Sequence, residues 1–175
     1  ADGAGASAIF IASDFDQLDS IVRWHDHQLQ TIRTSGELAI AASEFSRPLA
    51  TSFCNDKTQE VHGFYYAPHN SQYTAPPASK PPLLVMCHGG PTGSTNSALN
   101  LKIQYWTSRG FAVFDINYSG STGYGRRYRD RLKAQWGLVD VEDISAGAAF
   151  ISAPGLADLE NLTVCVRVCI LARYD

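Results

Sequence analysis

The segment His88-Gly89-Gly90-Pro91 follows an apolar run at 83–87. Adjacent glycines behind a buried strand are the residue type that can bring bare backbone N–H groups close to a substrate. With no Cβ in the way, such amides can donate to a carbonyl oxygen and stabilise the negative charge that develops when a nucleophile adds to the carbon. The position supports this chemistry, because loops at the carboxyl ends of strands are where open α/β sheets bind ligands. Gly89 and Gly90 are therefore the candidate catalytic residues, as oxyanion-hole backbone donors. Taken alone, the motif also fits a tight turn whose glycines serve geometry only.

An oxyanion hole of this kind serves a serine on a strained strand-to-helix turn, G-x-S-x-G, with a histidine base and an orienting carboxylate following in chain order. No G-x-S-x-G occurs in the 175 residues: Ser121 has Gly123 after it but Ser119 before it, and Ser145 has Gly147 but Asp143. His88 precedes the place for the serine and belongs to the glycine loop. The triad is absent, and the chain alone is expected to be inactive.

Other polar groups have simpler readings. Gly120, Gly123 and Gly125 sit between a strand and a helix, as phosphate-cradling glycines do. Their order is G-x-x-G-x-G rather than G-x-G-x-x-G, and no second strand ends in an acid about 20 residues on, which counts against a nucleotide. His25 and His27, two apart on a predicted strand, share a face, but no third ligand accompanies them and a solvated face is expected. His62 and His69 read as structural. Arg126, Arg127, Arg129, Arg131 and Lys133 surround Asp130 and read as a solvated helix face rather than an anion site. Cys165 and Cys169 lie on an apolar strand and read as small buried hydrophobes. Neither a metal nor a cofactor is expected.

The elements that carry these residues follow from periodicity. Short β-rich runs at 8–12, 20–24, 28–33 and, more weakly, 49–53 suggest antiparallel sheet, and 60–67 is a further strand. The proline-rich stretch 68–82 is a loop. From 83 the pattern changes to continuous apolar residues, as in a strand covered on both faces, so a parallel sheet is expected to begin there. Leu99, Ile103 and Trp106 mark an amphipathic helix over 97–109, with Ser97 as N-cap and Gly110 as its stop. A second buried strand spans 111–116, a glycine-rich turn 117–125 and a short basic helix 126–135. Asp140 is read as the cap of a helix whose Ile144, Ala148 and Ile151 share one face, ended by Pro154-Gly155. A third parallel strand is expected over 162–170.

Composition narrows the function classes. A hydrophobic fraction of 45% and a charged fraction of 18% suit a globular chain of one domain, or one and a piece. The net charge of -3, with no block of like charges, argues against nucleic acid and anionic bilayers as partners. No apolar run approaches the roughly 20 residues that span a membrane. Four cysteines without zinc-site spacing point to a reducing, cytoplasmic setting. The start at Ala1 and the abrupt end at Asp175 read as those of a fragment.

Three ordered blocks carry a resemblance: Leu84-Val85-Met86-Cys87-His88-Gly89-Gly90-Pro91, then Asn117-Tyr118-Ser119-Gly120-Ser121-Thr122-Gly123-Tyr124-Gly125, then Gln135-Trp136-Gly137 with Asp140-Val141-Glu142-Asp143. From about Val61 to Val164 the chain resembles the prolyl oligopeptidase family of serine peptidases, especially its acylaminoacyl-peptidase and dipeptidyl-peptidase-like branches. The resemblance implies an α/β fold in which 46–175 are the N-terminal half of an α/β-hydrolase domain, a parallel sheet with flanking helices. It implies that 1–45 are a short antiparallel segment from the last blade of a β-propeller. It further implies peptide substrates cleaved through an acyl-enzyme in the complete protein, and Gly89 and Gly90 as the oxyanion-side donors. The other reading is a pseudoenzyme, or a subunit that meets a complementing chain carrying the missing C-terminal half. The serine turn is expected after the strand beginning at Leu162, where the chain instead reads Cys165-Val166-Arg167-Val168-Cys169. If Arg167-Val168-Cys169 were encoded CGG-GTC-TGC followed by A, reading one nucleotide later would give Gly-Ser-Ala. A sheet cut after its third parallel strand leaves an open edge, so poor solubility is expected.

Overall fold

The computed structural model describes residues 7–90 and 92–166. Alternating β-branched and aromatic residues build a first antiparallel sheet from β1 (Ser7–Ala12), β2 (Ser20–His25) and β3 (Gln28–Thr34), in that order. Asp26 and His27, at φ 47° and 62°, form the two-residue turn between β2 and β3. This corrects the expectation that His25 and His27 share a strand face. His27 is a turn residue with its ring edge-on to Trp24 at 5.7 Å, while His25 Nε2 lies 3.1 Å from the Asp26 carboxylate.

A second sheet has five strands: β4 (Pro48–Cys54), β5 (Glu60–Tyr66), β6 (Pro82–Cys87), β7 (Ala112–Asn117) and β8 (Asp158–Val166). Their order is β4-β5-β7-β6-β8. β6 pairs parallel with β7 and β8, as the apolar runs predict, whereas β5 pairs antiparallel with both β4 and β7. The parallel strands thus share their sheet with an antiparallel hairpin. Alternation shows that 48–66 are strands but not which sheet they join, and hydrogen bonding separates them from β1–β3.

β6 and β7 are buried on both faces, and their side chains divide between two cores. Leu83, Val85, Cys87, Phe114 and Ile116 meet Phe53, Val61 and Tyr65 beneath Ala148 and Ile151 of α3 (Val139–Ser152). Leu84, Met86 and Val113 meet Tyr66 and, on the opposite side, Ile103 of α1 (Leu101–Thr107). Gly147 permits close packing of α3, because a Cβ there would fall 2.8 Å from the Phe114 ring.

Two helix starts differ from expectation. Asn100, not Ser97, caps α1, its side-chain oxygen accepting from Lys102 N at 3.1 Å. Leu99 is outside the helix, and its amide donates to Asp14 O at 2.7 Å, tying the segment after β1 to the five-stranded unit. Asp140 lies within the first turn of α3 rather than capping it. The chain enters that helix through backbone bonds from Leu138 and Val139 to Gln135 O. A short helix, α2 (Arg126–Asp130), precedes it. β8 is described as far as Val166, so Arg167-Val168-Cys169 and the readings placed there lie outside the described residues. Among the described residues, no helix is long and apolar enough to cross a membrane.

Candidate active site

His88 leaves the carboxyl end of β6, beside β7 at the middle of the five-stranded sheet. The turn that follows β7 faces it. This turn is anchored from below by Asp143 of α3, which is fully buried. One carboxylate oxygen accepts from Ser119 N at 2.7 Å and the other from Asn55 Nδ2 at 2.8 Å. Asn117, also fully buried, clamps the far side of the glycine loop. Its side chain accepts from Thr95 N at 2.8 Å and donates to Thr95 O at 3.1 Å and to the Tyr124 hydroxyl at 3.0 Å. Thr95 Oγ1 donates to the buried carboxylate of Asp115. Thr122 N donates to Gly93 O at 2.9 Å.

These ties set the direction of the glycine peptides. The Tyr118 hydroxyl reaches His88 O at 3.4 Å and Gly90 O at 3.3 Å, and His88 Nδ1 lies 3.5 Å from Gly89 O. Three successive carbonyls are thus turned toward Tyr118 and the imidazole. In a trans peptide the N–H points opposite to the C=O of the same unit. There is no cis bond here, so the amides of Gly89 and Gly90 point away from that cluster. Among the described residues neither amide meets a protein acceptor. Residue 91, a proline with no N–H to contribute, lies outside the described residues. Gly90 sits at φ +70° with nothing within 4 Å of where a Cβ would be, a conformation that favours glycine.

His88 is half-buried, and its ring stacks on Tyr118 with centroids 4.5 Å apart. Its Nε2 lies 2.7 Å from Ser121 Oγ, and Ser121 Oγ donates to Tyr118 O at 2.7 Å. Burial holds the imidazole below its ordinary pKa, opposed by the carbonyls of Gly89 and Gly90, so it is neutral at pH 7. Burial also pushes the Tyr118 phenol up to about 12, with Cys87 and Asp140 contributing, so it remains a donor. A serine and a histidine thus stand in hydrogen-bond contact. Ser121 is wholly enclosed and its proton is committed to a carbonyl. Ser145 lies within α3, its hydroxyl bonded back to Val141 O at 2.9 Å.

The other candidates fall elsewhere. His62 stacks on Tyr124 at 4.2 Å and contacts Ser52 Oγ at 2.8 Å, and His69 contacts Ser43 O at 2.7 Å, both in structural roles. In the basic stretch, Lys133 pairs with Asp130 at 2.9 Å and Arg131 donates to Glu60 O at 2.8 Å. Cys165 is half-buried near Lys102 Nζ at 3.5 Å, and Cys169 lies outside the described residues. Among the described residues, no three His, Cys, Asp or Glu side chains gather as a metal would require. A cleft of about 1070 Å³ is lined by His69, Tyr73, Lys80, Pro82, Arg109 and Gly110. Pro82 opens β6 and Gly110 precedes β7, so this cleft lies at the opposite end of the parallel strands from the glycine loop.

Tyr118, Ser121 and Asp143 are the positioning groups that sequence reasoning passed over. Asp143 had a signal: it shares the i, i+4, i+8 face of α3 with Gly147 and Ile151, an acid on an apolar stripe.

Residues 97–165 match the model of the prolyl oligopeptidase family. Dipeptidyl-peptidase 5 of Schizosaccharomyces pombe is 36% identical over 76 residues, 42% of this chain and 11% of that protein. The acylamino-acid-releasing enzyme of Mus musculus is 40% identical over 70 residues, 40% of this chain and 10% of that protein. Among solved structures, a puromycin-hydrolyzing peptidase of Mycobacterium tuberculosis superposes with TM-score 0.88 at 38% identity, covering 91% of this chain and 25% of that one. An acylaminoacyl peptidase of Pyrococcus horikoshii shares the fold, with TM-score 0.77 at 23% identity over 93% of this chain and 26% of that one. The chain therefore spans about a quarter of those structures. Family match, relatives and superposition agree in making the chain similar to the prolyl oligopeptidase family.

Proposed function

We propose that this chain is the oxyanion-side part of a serine-type peptidase domain, with Gly89 and Gly90 supplying backbone N–H donors to the tetrahedral intermediate. The observation that carries the reading is the inward turn of three successive carbonyls onto Tyr118 and His88, which directs the glycine amides outward at the carboxyl end of β6. Donors fixed in advance are effective because no reorganisation is needed as the oxyanion charge grows. In the complete protein, the substrate is a short peptide cleaved through an acyl-enzyme. Residues 46–175 belong to the N-terminal half of an α/β-hydrolase domain, and 1–45 are the end of a β-propeller-like region. The separation of β1–β3 from the five-stranded sheet is consistent with that division. A reducing, cytoplasmic setting is in keeping with the free thiols of Cys54, Cys87 and Cys165.

On this reading the 175-residue chain alone does not turn over substrate, because it contains no G-x-S-x-G serine. A fluorophosphonate probe tests this, with no labelling expected and covalent labelling of any serine contradicting it. A second reading, a subunit completed by another chain, draws on the exposed Leu159, Leu162 and Val164 of the terminal strand β8. Co-purification of a chain bearing the serine turn would favour it.

A further inference from the structure

We infer that Tyr118 and Ser121 are positioning residues for the glycine loop: together they fix the His88 ring and the direction of the Gly89 and Gly90 amides. This rests on the reading of those amides as oxyanion donors, but the geometry beneath it stands apart from that reading. Ser121 Oγ gives its proton to Tyr118 O at 2.7 Å, which leaves an oxygen lone pair facing His88 Nε2 at 2.7 Å. The imidazole is the donor there, and these two 2.7 Å contacts outweigh the longer 3.5 Å approach of Nδ1 to Gly89 O, so the neutral form is the Nε2–H tautomer. The ring is held edgewise by that bond and flatwise by the Tyr118 face, 17° from parallel. The same tyrosine shares its hydroxyl proton between His88 O and Gly90 O.

Side-chain packing cannot do this work at Gly90, where the space a Cβ would occupy is open. Close by, Gly93 N bonds Gly90 O at 3.3 Å, and a Cβ at Gly93 would fall 2.8 Å from Gly89 O, so the loop tolerates little displacement without breaking these contacts. Ser121 is fully buried and Tyr118 is 6% exposed, so water does not readily replace either hydroxyl. The serine next to the glycine block thus has a use other than nucleophilic attack: it selects the histidine tautomer.

The test uses the 175-residue chain labelled with ¹⁵N. The imidazole nitrogen shifts of His88 report the tautomer, and the amide resonances of Gly89 and Gly90 report loop orientation. The wild-type chain is expected to show His88 as a single Nε2–H tautomer. Ser121→Ala, which removes the acceptor, is expected to give a mixture of tautomers and to shift both glycine amides. Tyr118→Phe keeps the ring and is expected to move the glycine amides while leaving the tautomer in place. Ser145→Ala is the control and should leave all of these unchanged. A wild-type Nδ1–H or mixed tautomer would overturn the inference, as would glycine amides that stay in place in both Tyr118→Phe and Ser121→Ala. No turnover is read, so this outcome is separable from the failure of the oxyanion reading itself.

Discussion

Asp143 links three elements that the sequence keeps far apart: the turn between β4 and β5 through Asn55, the loop after β7 through Ser119, and α3, on which it sits. Its carboxylate is fully buried and accepts two hydrogen bonds. Replacing it with alanine leaves Ser119 N and Asn55 Nδ2 as buried donors without partners. A hydrogen bond to a charged group contributes about 1.5–3 kcal/mol, so two are worth about 3–6 kcal/mol. Relief from burying a charge offsets part of this, leaving a net loss of about 3 kcal/mol. At about 2–4 °C per kcal/mol for a chain of this size, Tm should fall by about 6–12 °C. Asp143→Asn keeps the volume but turns an NH₂ toward one of the donors, so it should lose about 1–3 kcal/mol. Circular dichroism melts and urea titrations measure both. In a double-mutant cycle with Asn55→Ala, the two losses should fall short of additivity by about 1 kcal/mol, because the residues share one bond. A Tm within about 2 °C of wild type for Asp143→Ala would show that this carboxylate does not hold the three elements together.

Two further outcomes are expected. Burial lowers the pKa of both His88 and His62, the latter with Glu60 opposing and Arg131 assisting. The folded state therefore binds fewer protons than the unfolded chain just below the ordinary histidine value of 6.5, and stability rises with pH in that window. The urea midpoint should hold above that value and fall as the pH drops below it, so a flat or rising midpoint on acidification would exclude the effect. Gly147→Ala would place a Cβ 2.8 Å from Phe114 and 3.0 Å from Phe53, overpacking the α3 interface at a cost of about 1–3 kcal/mol, which the same melts would detect.

What could be read from the sequence depended on whether a residue's role is local. β6 and β7 were legible because a strand buried on both faces has no polar alternation, and residues 82–87 and 112–117 have almost none. The turn after β6 was legible because adjacent glycines mark a backbone conformation that favours a residue without Cβ, and Gly90 sits at φ +70°. The cap of α1 was not, since Ser97 and Asn100 are both competent caps and only the position of Leu99, drawn to Asp14 O, decides between them. The two strands around Asp26 and His27 were legible, but His27 was placed on a strand rather than in the turn because neither residue is glycine, although Asp tolerates positive φ. Tyr118 and Ser121 stood in a block noticed for its glycines. Their contacts with His88 span 30 and 33 residues, and no periodicity encodes a pairing at that range.

The strand order also has a kinetic consequence. β5 and β6 are successive in the chain, yet β7 lies between them, paired with both. As the chain emerges from a ribosome, the β4–β5 hairpin can close locally, but β6 has no neighbour until residues 112–117 arrive, about 25 positions later. Inserting the central strand is thus a late, non-local event, of the kind that slows folding and leaves apolar edges open in the meantime. Tyr118 directly follows that strand, so the glycine loop acquires its anchors only when β7 docks. Its order is coupled to completion of the sheet, and an incompletely assembled sheet would present the glycines without a defined direction.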